Sequence, residues 1–217
     1  MPSVRVGIAP RSQPFDESMD SLNAAIQFAL DAGFGITLAK VRRGAPGFQN
    51  YGPMLADLIE SRDSHLFCAA DDVIYPPDCI VRLVNAGKDI ISGIYRKSLI
   101  SEIQPANYGD GTSETFLARL KEGGIYETNF GSAHSMTIRR EVFGKMMKDY
   151  PELSYEHAGR TNYALFLPMI HEGVIFQDDW AFSYRARQSG FTLWDDFGCR
   201  LKHFCGDFLG FEAVEQQ

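Results

Sequence analysis

The chain has 217 residues, of which 45% are hydrophobic and 23% are charged. This length and composition suffice for one sizeable core, but the chain is too short for two large domains. The formal net charge of −7 argues against nonspecific binding to a nucleic acid backbone, although a small anionic ligand neutralised by a cation remains compatible with it. No apolar run reaches the roughly 18 residues of a membrane helix, and the N-terminus lacks a signal-peptide pattern. We therefore expect a cytoplasmic protein without a membrane span.

The first hundred residues alternate between strand-like and helix-like patterns. Apolar residues at helical spacing alternate with short β-branched or continuous apolar runs, and a Gly- and Pro-rich loop is expected at 42–53. The predicted strands are 4–8, 35–41, 65–70 and 89–94, and the predicted helices are 18–30, 54–61 and 79–86. This alternation predicts an α/β fold with a mainly parallel sheet, in which ligands bind beyond the carboxyl ends of the strands.

The second half of the chain has a less regular pattern. Residues 97–124 contain few apolar runs and are expected to wrap the edge of the sheet. The predicted strands are 134–138, 191–194 and 200–203, and the predicted helices are 140–149 and 178–189.

Two adjacent carboxylates, Asp71 and Asp72, directly follow the apolar run 65–70. Such a pair is costly unless it is solvated, paired or bound to a cation, and oxygen ligands of this kind suit Mg²⁺ or Mn²⁺. A solvated turn, or a cap on the helix that follows, explains the pair equally well.

Three further polar positions allow both a structural and a chemical interpretation. Asp178 and Asp179 open a predicted helix, where carboxylates act as caps, but Asp179 is also placed to serve as a general base. His203 is either a structural residue or a metal ligand. A zinc site formed by Cys199, His203 and Cys205 is disfavoured because the pattern offers no fourth ligand.

In combination, these signals resemble the nucleotide-sugar glycosyltransferases of the GT-A fold, in particular the compact family-2-like enzymes of viral, phage or bacterial type. The resemblance runs through Asn50 and covers nearly the whole chain. It is carried by the segments FCAADDVIYPPDCIVRLV, KDIISGIYRK, GSAHSMTIRREVFGKM, QDDWAFSYRARQSGFTLWDD and LKHF.

The resemblance implies a GT-A type three-layer α/β/α sandwich with a mainly parallel central sheet and a Rossmann-like nucleotide-binding half. It implies one glycosyltransferase domain over 1–217, with a donor-binding half at 1–100 and an acceptor-binding half at 101–217. The length of the chain also fits a module of a longer protein. The implied partners are a nucleotide-sugar donor, UDP-linked by preference, and a glycan or other hydroxyl acceptor. The implied location is the cytoplasm, or the host cytoplasm if the source is viral.

The resemblance also implies roles for individual residues around a Mn²⁺ or Mg²⁺ cofactor. Asp72 matches the last aspartate of the family's DxD motif, whereas Ala70 occupies the place of the first one, so that Asp71 is expected to contact the ribose or a water on the metal. His203 matches a metal-binding histidine, and Asp178 with Asp179 matches the acidic pair that faces the acceptor.

Other positions are matched to substrate contacts. Residues Ala9, Pro10 and Arg11 follow the first strand, where the family contacts the base, and Asn50 is expected near the donor; a solvated loop or a turn would explain Arg11 and Asn50 as well. The segment 133–135, Ala-His-Ser, replaces part of a glycine-rich turn, which we interpret as a change in sugar or acceptor choice.

Two other functions compete with sugar transfer. A sugar-phosphate nucleotidyltransferase is disfavoured because residues 8–12 contain no glycine to hold a triphosphate. A noncatalytic nucleotide-sugar or carbohydrate-binding module of the same fold remains open because Ala70 stands where a carboxylate is expected. The sequence also leaves open whether the transfer inverts or retains configuration.

Overall fold

A computed structural model describes residues 1–8, 15–39, 47–95, 113–204 and 208–209. In these ranges the chain forms strands and helices in alternation over its first half and adds short hairpins in its second half. The strands are β1 (Ser3–Ile8), β2 (Gly35–Leu38), β3 (His65–Ala69), β4 (Val73–Ile74), β5 (Ile90–Ile94), β6 (Ile125–Thr128), β7 (Thr137–Arg139), β8 (Ser154–His157), β9 (Arg160–Tyr163), β10 (Met169–His171), β11 (Val174–Phe176), β12 (Leu193–Arg200), β13 (Lys202–Phe204) and β14 (Phe208–Leu209). The helices are α1 (Asp16–Asp31), α2 (Gly47–Glu60), α3 (Cys79–Asn85), α4 (Ser113–Glu122), α5 (Arg140–Asp149) and α6 (Asp178–Gln188).

The central sheet has seven strands in the order β2-β1-β3-β7-β5-β12-β6. Strands β2, β1, β3, β5 and β12 run in one direction, whereas β7 and β6 are antiparallel to their neighbours. The sheet is therefore mainly parallel, as the alternation of strands and helices predicts.

Helices cover both faces of this sheet. Along β3, Leu66 and Cys68 join the core beneath α2, α5 and α6, whereas Phe67 and Ala69 join the core beneath α1 and α3. Successive strand residues point to opposite faces, so a continuous apolar run is what a strand covered on both faces requires. The result is the three-layer α/β/α sandwich expected from the sequence.

Several chain segments that are distant in sequence meet at the carboxyl ends of the parallel strands, the side of the sheet that we call its carboxyl edge. The parallel strands β3, β5 and β12 end there, and β4 and β13 pair with each other just beyond it. Because β7 lies between β3 and β5 and runs the opposite way, the residues that precede β7 reach the same edge. Topology therefore brings the ends of four segments together.

The structure corrects the predicted loop at 42–53. Helix α2 begins at Gly47 and includes Pro53, so Asn50 is a buried helical residue rather than a turn residue. Tyr51 stacks on Phe166 with ring centroids 4.1 Å apart, and Met54 is fully buried. Burial of these side chains outweighs the poor helix propensity of Gly and Pro.

The other differences concern helix α4, which was not predicted within 97–124, and several strands. Strand β12 extends to Arg200 instead of ending at Trp194. Strands β4 and β6 and the hairpins β8–β9 and β10–β11 were not predicted, since strands of two to four residues carry little periodicity. Among the described residues, no helix combines the length and apolarity needed to cross a membrane.

Candidate metal centre

Asp72 lies in the short connection between β3 and β4, at the carboxyl edge of the sheet. The backbone carbonyl of Asp72 accepts a hydrogen bond from the N–H of Phe204 at 2.9 Å, and that of Asp71 accepts one from Phe15 at 3.2 Å. The Asp72 side chain is 14% exposed. The connection is thus fixed through its backbone, and its carboxylate lies near the surface without being fully solvated.

Tyr75 ties this connection to a second segment. Its buried hydroxyl receives a hydrogen bond from the N–H of Ala70 at 2.7 Å and lies 2.8 Å from the carbonyl oxygen of His134, to which it donates. Burial raises the pKa of Tyr75 well above its usual range, and the nearby charges of Asp72 and Asp71 raise it further. Tyr75 therefore stays a neutral hydrogen-bond donor.

His134 stands in the segment that leads into β7. Its Nδ1 lies 3.1 Å from the hydroxyl of Ser132, and its Nε2 lies 3.8 Å from Oδ1 of Asp72. When Nδ1–H donates to Ser132, Nε2 carries a lone pair on the side of Asp72, and this tautomer can bind a metal through Nε2.

The segment that carries His134 is anchored to the middle of the sheet. The N–H of Ser132 donates to the hydroxyl of Ser92 at 3.2 Å, and that hydroxyl donates to Oδ1 of the buried Asp195 at 2.7 Å. Ser135 accepts a hydrogen bond from the N–H of Gly93 at 3.0 Å. These contacts fix the position of His134 from two strands, β5 and β12.

His203 reaches the same place from β13. The register of β13 against β4 sets His203 opposite Val73, and Nε2 of His203 lies 3.5 Å from Oδ2 of Asp72. The ring of Tyr95, which follows β5, has its centroid 4.7 Å from the His134 ring and 4.9 Å from the His203 ring. Both imidazoles are therefore packed on one buried aromatic residue and face one carboxylate.

The donor set suits a divalent cation. Ligand atoms of Asp72, His134 and His203 all lie within 4.8 Å of one another. Metal bonds of about 2.1 Å separate neighbouring ligand atoms by roughly 3.0–3.4 Å, so binding would draw these atoms closer together than the 4.8 Å within which they now lie. Two neutral imidazoles and one carboxylate leave further coordination positions open, as in sites where a transition metal also binds a substrate.

Sequence analysis assigned Asp72 and His203 to one metal, whereas it assigned His134, within 133–135, to the choice of sugar or acceptor. The structure brings Asp72, His134 and His203 together. Asp71 is largely buried, and its charge contributes to the raised pKa of Tyr75. A histidine among small residues just before a buried strand was the only signal for His134. Its proximity to Asp72 depends on the order of strands in the sheet.

The acidic pair Asp178 and Asp179, at the start of α6, lies next to the segment that leads to His134. The hydroxyl of Ser183 donates to the carbonyl of Asp179 at 2.7 Å and accepts from the N–H of Gly131 at 3.1 Å. Trp180 stacks on Phe130 with ring centroids 4.3 Å apart. The first turn of α6 is thereby held against the segment that ends at His134.

Asp178 and Asp179 are the first two residues of α6, and Gln177 occupies the N-cap position, so neither carboxylate is the capping residue. Oδ1 of Asp178 accepts from the N–H of Asp179 at 3.1 Å, and Oδ1 of Asp179 accepts from the N–H of Trp180 at 2.9 Å. Their charges also affect Tyr51. Burial is the largest cause that raises the pKa of Tyr51, and the charges of Cys68, Asp178 and Asp179 raise it further.

The remaining sequence candidates divide into two groups. Asn50 is buried in α2 next to Tyr51. Ala9, Pro10 and Arg11 lie outside the described residues.

The zinc site that was disfavoured from sequence finds no support in the described residues. Buried Cys199 forms a hydrogen bond with Cys79, with their sulfur atoms 3.4 Å apart, whereas His203 faces Asp72. Cys205, the third member of the proposed set, lies outside the described residues. Cys68, Cys79 and Cys199 are free thiols.

Comparisons with known proteins identify solved structures with a similar fold. No family model matches the chain, and no curated protein matches it. The structure is similar to that of A197 from STIV, with a TM-score of 0.54 and 14% identity over 94% of this chain and 86% of A197. It is also similar to the structure of GalNAc-T7 with UDP, GalNAc and Mn²⁺, with a TM-score of 0.55 and 12% identity over 93% of this chain.

This chain covers 43% of the GalNAc-T7 chain and therefore corresponds to less than half of its length. At 12–14% identity, the likeness concerns the fold. The chain thus has the GT-A type α/β/α sandwich that the sequence predicts, with Asp72, His134 and His203 gathered at the carboxyl edge of its sheet.

Proposed function

We propose that the chain is a metal-dependent glycosyltransferase, which moves a sugar from a nucleoside-diphosphate sugar to a hydroxyl acceptor. The observation that carries the proposal is the cluster of Asp72, His134 and His203 at the carboxyl edge of a GT-A type sheet. In this proposal, residues 1–100 form the donor half and 101–217 the acceptor half of one catalytic domain. UDP is the preferred nucleotide, in line with the family resemblance.

The chemistry of the three proposed ligands favours one class of cation. Mg²⁺ favours oxygen ligands, whereas imidazole favours transition metals, so two histidines with one aspartate favour Mn²⁺ over Mg²⁺. When bound, such a cation neutralises the charge that develops on a leaving diphosphate. Tyr75 and Ser132 hold the ligand segments in place by hydrogen bonds to Ala70 and His134.

The transfer breaks the bond between the anomeric carbon and the diphosphate oxygen and forms one between that carbon and the acceptor oxygen. In an inverting reaction, Asp179 takes the proton of the acceptor hydroxyl as that bond forms. In a retaining reaction, the leaving diphosphate takes the proton, and Asp179 with Asp178 orients the acceptor. The position of α6 beside the segment of His134 supports an acceptor site here.

The donor would lie between the ligand cluster and the N-terminal half of the sheet. Asp71 follows β3 at this edge, and we assign it a contact to the ribose or to a water on the metal. We assign contacts to the base to residues 9–11, which follow β1, and a donor contact to Asn50 in α2. This arrangement uses the carboxyl ends of neighbouring parallel strands, where nucleotides bind in such sheets.

A donor screen tests the proposal. Purified protein is incubated with UDP-, GDP-, ADP- and TDP-sugars and mixed hydroxyl acceptors, with Mn²⁺, Mg²⁺ or a chelator, and released nucleoside diphosphate is measured. We expect release with one donor class in Mn²⁺, little in Mg²⁺ and none with the chelator. The matched variants are His134→Ala, which should abolish release, and His157→Ala, which should not.

The same screen separates catalysis from binding. A protein that binds a nucleotide sugar in Mn²⁺ without releasing nucleoside diphosphate would be a noncatalytic module of this fold. Release of pyrophosphate from a nucleoside triphosphate and a sugar phosphate would instead identify a nucleotidyltransferase. Either result would contradict the proposed transfer.

A further inference from the structure

The sulfur atoms of two buried cysteines are in contact near the metal centre. Cys79 is the first residue of α3, and Cys199 lies near the end of β12. Their Sγ atoms are 3.4 Å apart, although the residues are 120 positions apart in the chain, and both side chains are fully buried. Neither thiol takes part in the proposed transfer, so the contact needs a separate explanation.

The geometry of this pair suits a covalent bond. The sulfur atoms of a disulfide lie about 2.05 Å apart, so closure requires an approach of roughly 1.4 Å between side chains that are already in contact. The register of β12 against β5 shifts between Asp196 and Arg200, so Cys199 lies in an irregular part of the strand. Because a bulge interrupts the regular ladder, Cys199 can move towards Cys79 without breaking a run of strand hydrogen bonds.

The two cysteines flank the segments that carry Asp72 and His203. Cys79 follows Asp72 by seven residues, and Cys199 precedes His203 by four. The two segments are joined through β4 and β13, which have two and three residues, and through a hydrogen bond from the N–H of Phe204 to the carbonyl of Asp72. Strands this short pair weakly on their own, so a bond between the cysteines would restrain both ligand segments.

Cys199 also packs on the strand that anchors the third ligand. A Cβ atom at Gly93 of β5 would lie 2.8 Å from the carbonyl oxygen and 2.9 Å from Sγ of Cys199, so glycine permits this close approach. The N–H of Gly93 donates to Ser135, the residue after His134. The cysteine pair is therefore connected, through the backbone or through one hydrogen bond, to each of the three ligand segments.

We propose that Cys79 and Cys199 form a disulfide when the chain folds in the presence of a small-molecule disulfide such as oxidised glutathione, and that this bond holds the segments of Asp72 and His203 together. The thiolate of one cysteine attacks the small disulfide and releases one glutathione thiolate. The second cysteine then attacks the protein sulfur of the mixed disulfide and releases the other. The cysteines thereby lose two electrons and two protons, which leave with two glutathione molecules. The proposal does not depend on sugar transfer.

The surroundings of the pair determine when this exchange takes place. The hydrogen bond to Cys79 is the largest cause that raises the pKa of Cys199 well above its usual value, and burial raises it further. The attacking species is a thiolate, so the folded, reduced protein should react slowly and the bond should form while the chain is still open. Once formed, the bond is buried and therefore shielded from external reductants.

Refolding in two redox buffers tests the proposal. The protein is unfolded in guanidinium chloride with dithiothreitol, and after removal of the reductant it is refolded with oxidised and reduced glutathione together, or with reduced glutathione alone. Remaining thiols are blocked with iodoacetamide, and linked peptides are identified by mass spectrometry after digestion. We expect the bond between Cys79 and Cys199 to be the main disulfide in the first buffer and to be absent in the second.

Three alanine variants refine the test. Cys79→Ala and Cys199→Ala remove one partner each, and Cys68→Ala is the matched control, because Cys68 is equally buried but belongs to the core on the other face of the sheet. Oxidation closes a long loop, so it should raise the unfolding midpoint of the unchanged protein and of the control by about 5–15 °C. It should leave the midpoints of Cys79→Ala and Cys199→Ala unchanged.

Hydrogen exchange tests the connection to the metal centre. The amide protons of residues 202–204 should exchange at least about tenfold more slowly in the oxidised protein than in Cys79→Ala treated in the same buffer. This measurement needs neither a cation nor a substrate, so it is independent of the proposed function.

Three results would overturn the proposal. The first is a refolded protein in which the bond between Cys79 and Cys199 is missing, or is no more frequent than bonds to Cys68 or Cys205. The second is a lower unfolding midpoint after oxidation, which would show that the bond does not fit the native fold. The third is equal exchange of 202–204 in the oxidised protein and in Cys79→Ala, which would remove the connection to the metal centre.

Discussion

Ser132 and His134 are joined by a 3.1 Å contact between the serine hydroxyl and Nδ1 of the imidazole, and this contact directs Nε2 of His134 towards Asp72. The orientation of the ring is therefore set by a residue that does not itself belong to the ligand cluster. Partners of this kind typically contribute roughly ten- to a hundredfold in metal affinity, because they fix the tautomer and the ring angle.

Replacing Ser132 by Ala should therefore weaken Mn²⁺ binding by about tenfold or more without abolishing it. Titration calorimetry or the electron paramagnetic resonance signal of free Mn²⁺ measures the change. Ser154→Ala is the control, because its hydroxyl bonds only to the exposed carbonyl of Pro151 among the contacts described. Equal affinities of the two variants would show that Ser132 does not orient the ligand.

Removing one ligand of the cluster should have a larger effect. Asp72→Ala, His134→Ala and His203→Ala each remove one of three ligand atoms, so each should abolish measurable Mn²⁺ binding, with Asp72→Ala also abolishing metal-dependent donor binding. His171→Ala, in the β10–β11 hairpin, controls for unspecific binding by histidine. Normal Mn²⁺ affinity in His203→Ala would return His203 to a structural role.

The cluster also predicts the order of metal preference. Because two of its three ligands are imidazoles, the unchanged protein should bind Mn²⁺ more tightly than Mg²⁺. Competition of Mg²⁺ against bound Mn²⁺ measures the ratio directly, without substrate. Equal affinity for the two ions would contradict a site that includes both histidines.

Asp179→Asn tests the proposed base. If the reaction inverts configuration, the variant should lose about a hundredfold or more in kcat while donor affinity stays within a few fold. Single-turnover kinetics and donor titration measure the two quantities. Glu172→Gln, at the tip of the β10–β11 hairpin, removes a different carboxylate as the control. Near-normal turnover of Asp179→Asn would exclude it as the base.

Two buried tyrosines give the fold a defined alkaline limit. Burial is the largest cause that raises the pKa values of Tyr51 and Tyr75 well above the ordinary value of 10.0. The unfolded chain releases these protons near that value and the folded chain retains them, so their contribution to stability is complete below pH 10 and is lost as the pH rises above it.

Absorbance of tyrosinate during a pH titration checks this expectation. Of the nine tyrosines, Tyr51 and Tyr75 should ionise only as the protein unfolds. Tyr75→Phe should lower the free energy of unfolding by about 1–3 kcal/mol, because it leaves the buried polar groups of Ala70 and His134 without this partner. Ionisation of all tyrosines before unfolding would contradict the burial of these hydroxyls.

Local patterns determined most of the fold from the sequence. The sequence predicts helices at 140–149 and 178–189, close to the observed bounds of α5 and α6, and the apolar run of β3 is long enough to predict a strand covered on both faces. Helix α2 was placed too late because Gly52 and Pro53 disfavour a helix locally. The packing of Tyr51 on Phe166, more than a hundred residues away, decides that helix and cannot be read from a local window.

For the site, the sequence alone determined which residues offer suitable chemistry: Asp72 after a buried strand, an acidic pair at the start of a helix, and His203 near the end of the chain. Only the tertiary structure decided which of them meet. His134 joins Asp72 because β7 runs antiparallel between β3 and β5, which turns the residues before β7 towards the carboxyl edge of the parallel strands. Strand order is a property of long-range pairing, so a histidine that has no motif of its own becomes a candidate ligand only once the sheet is assembled.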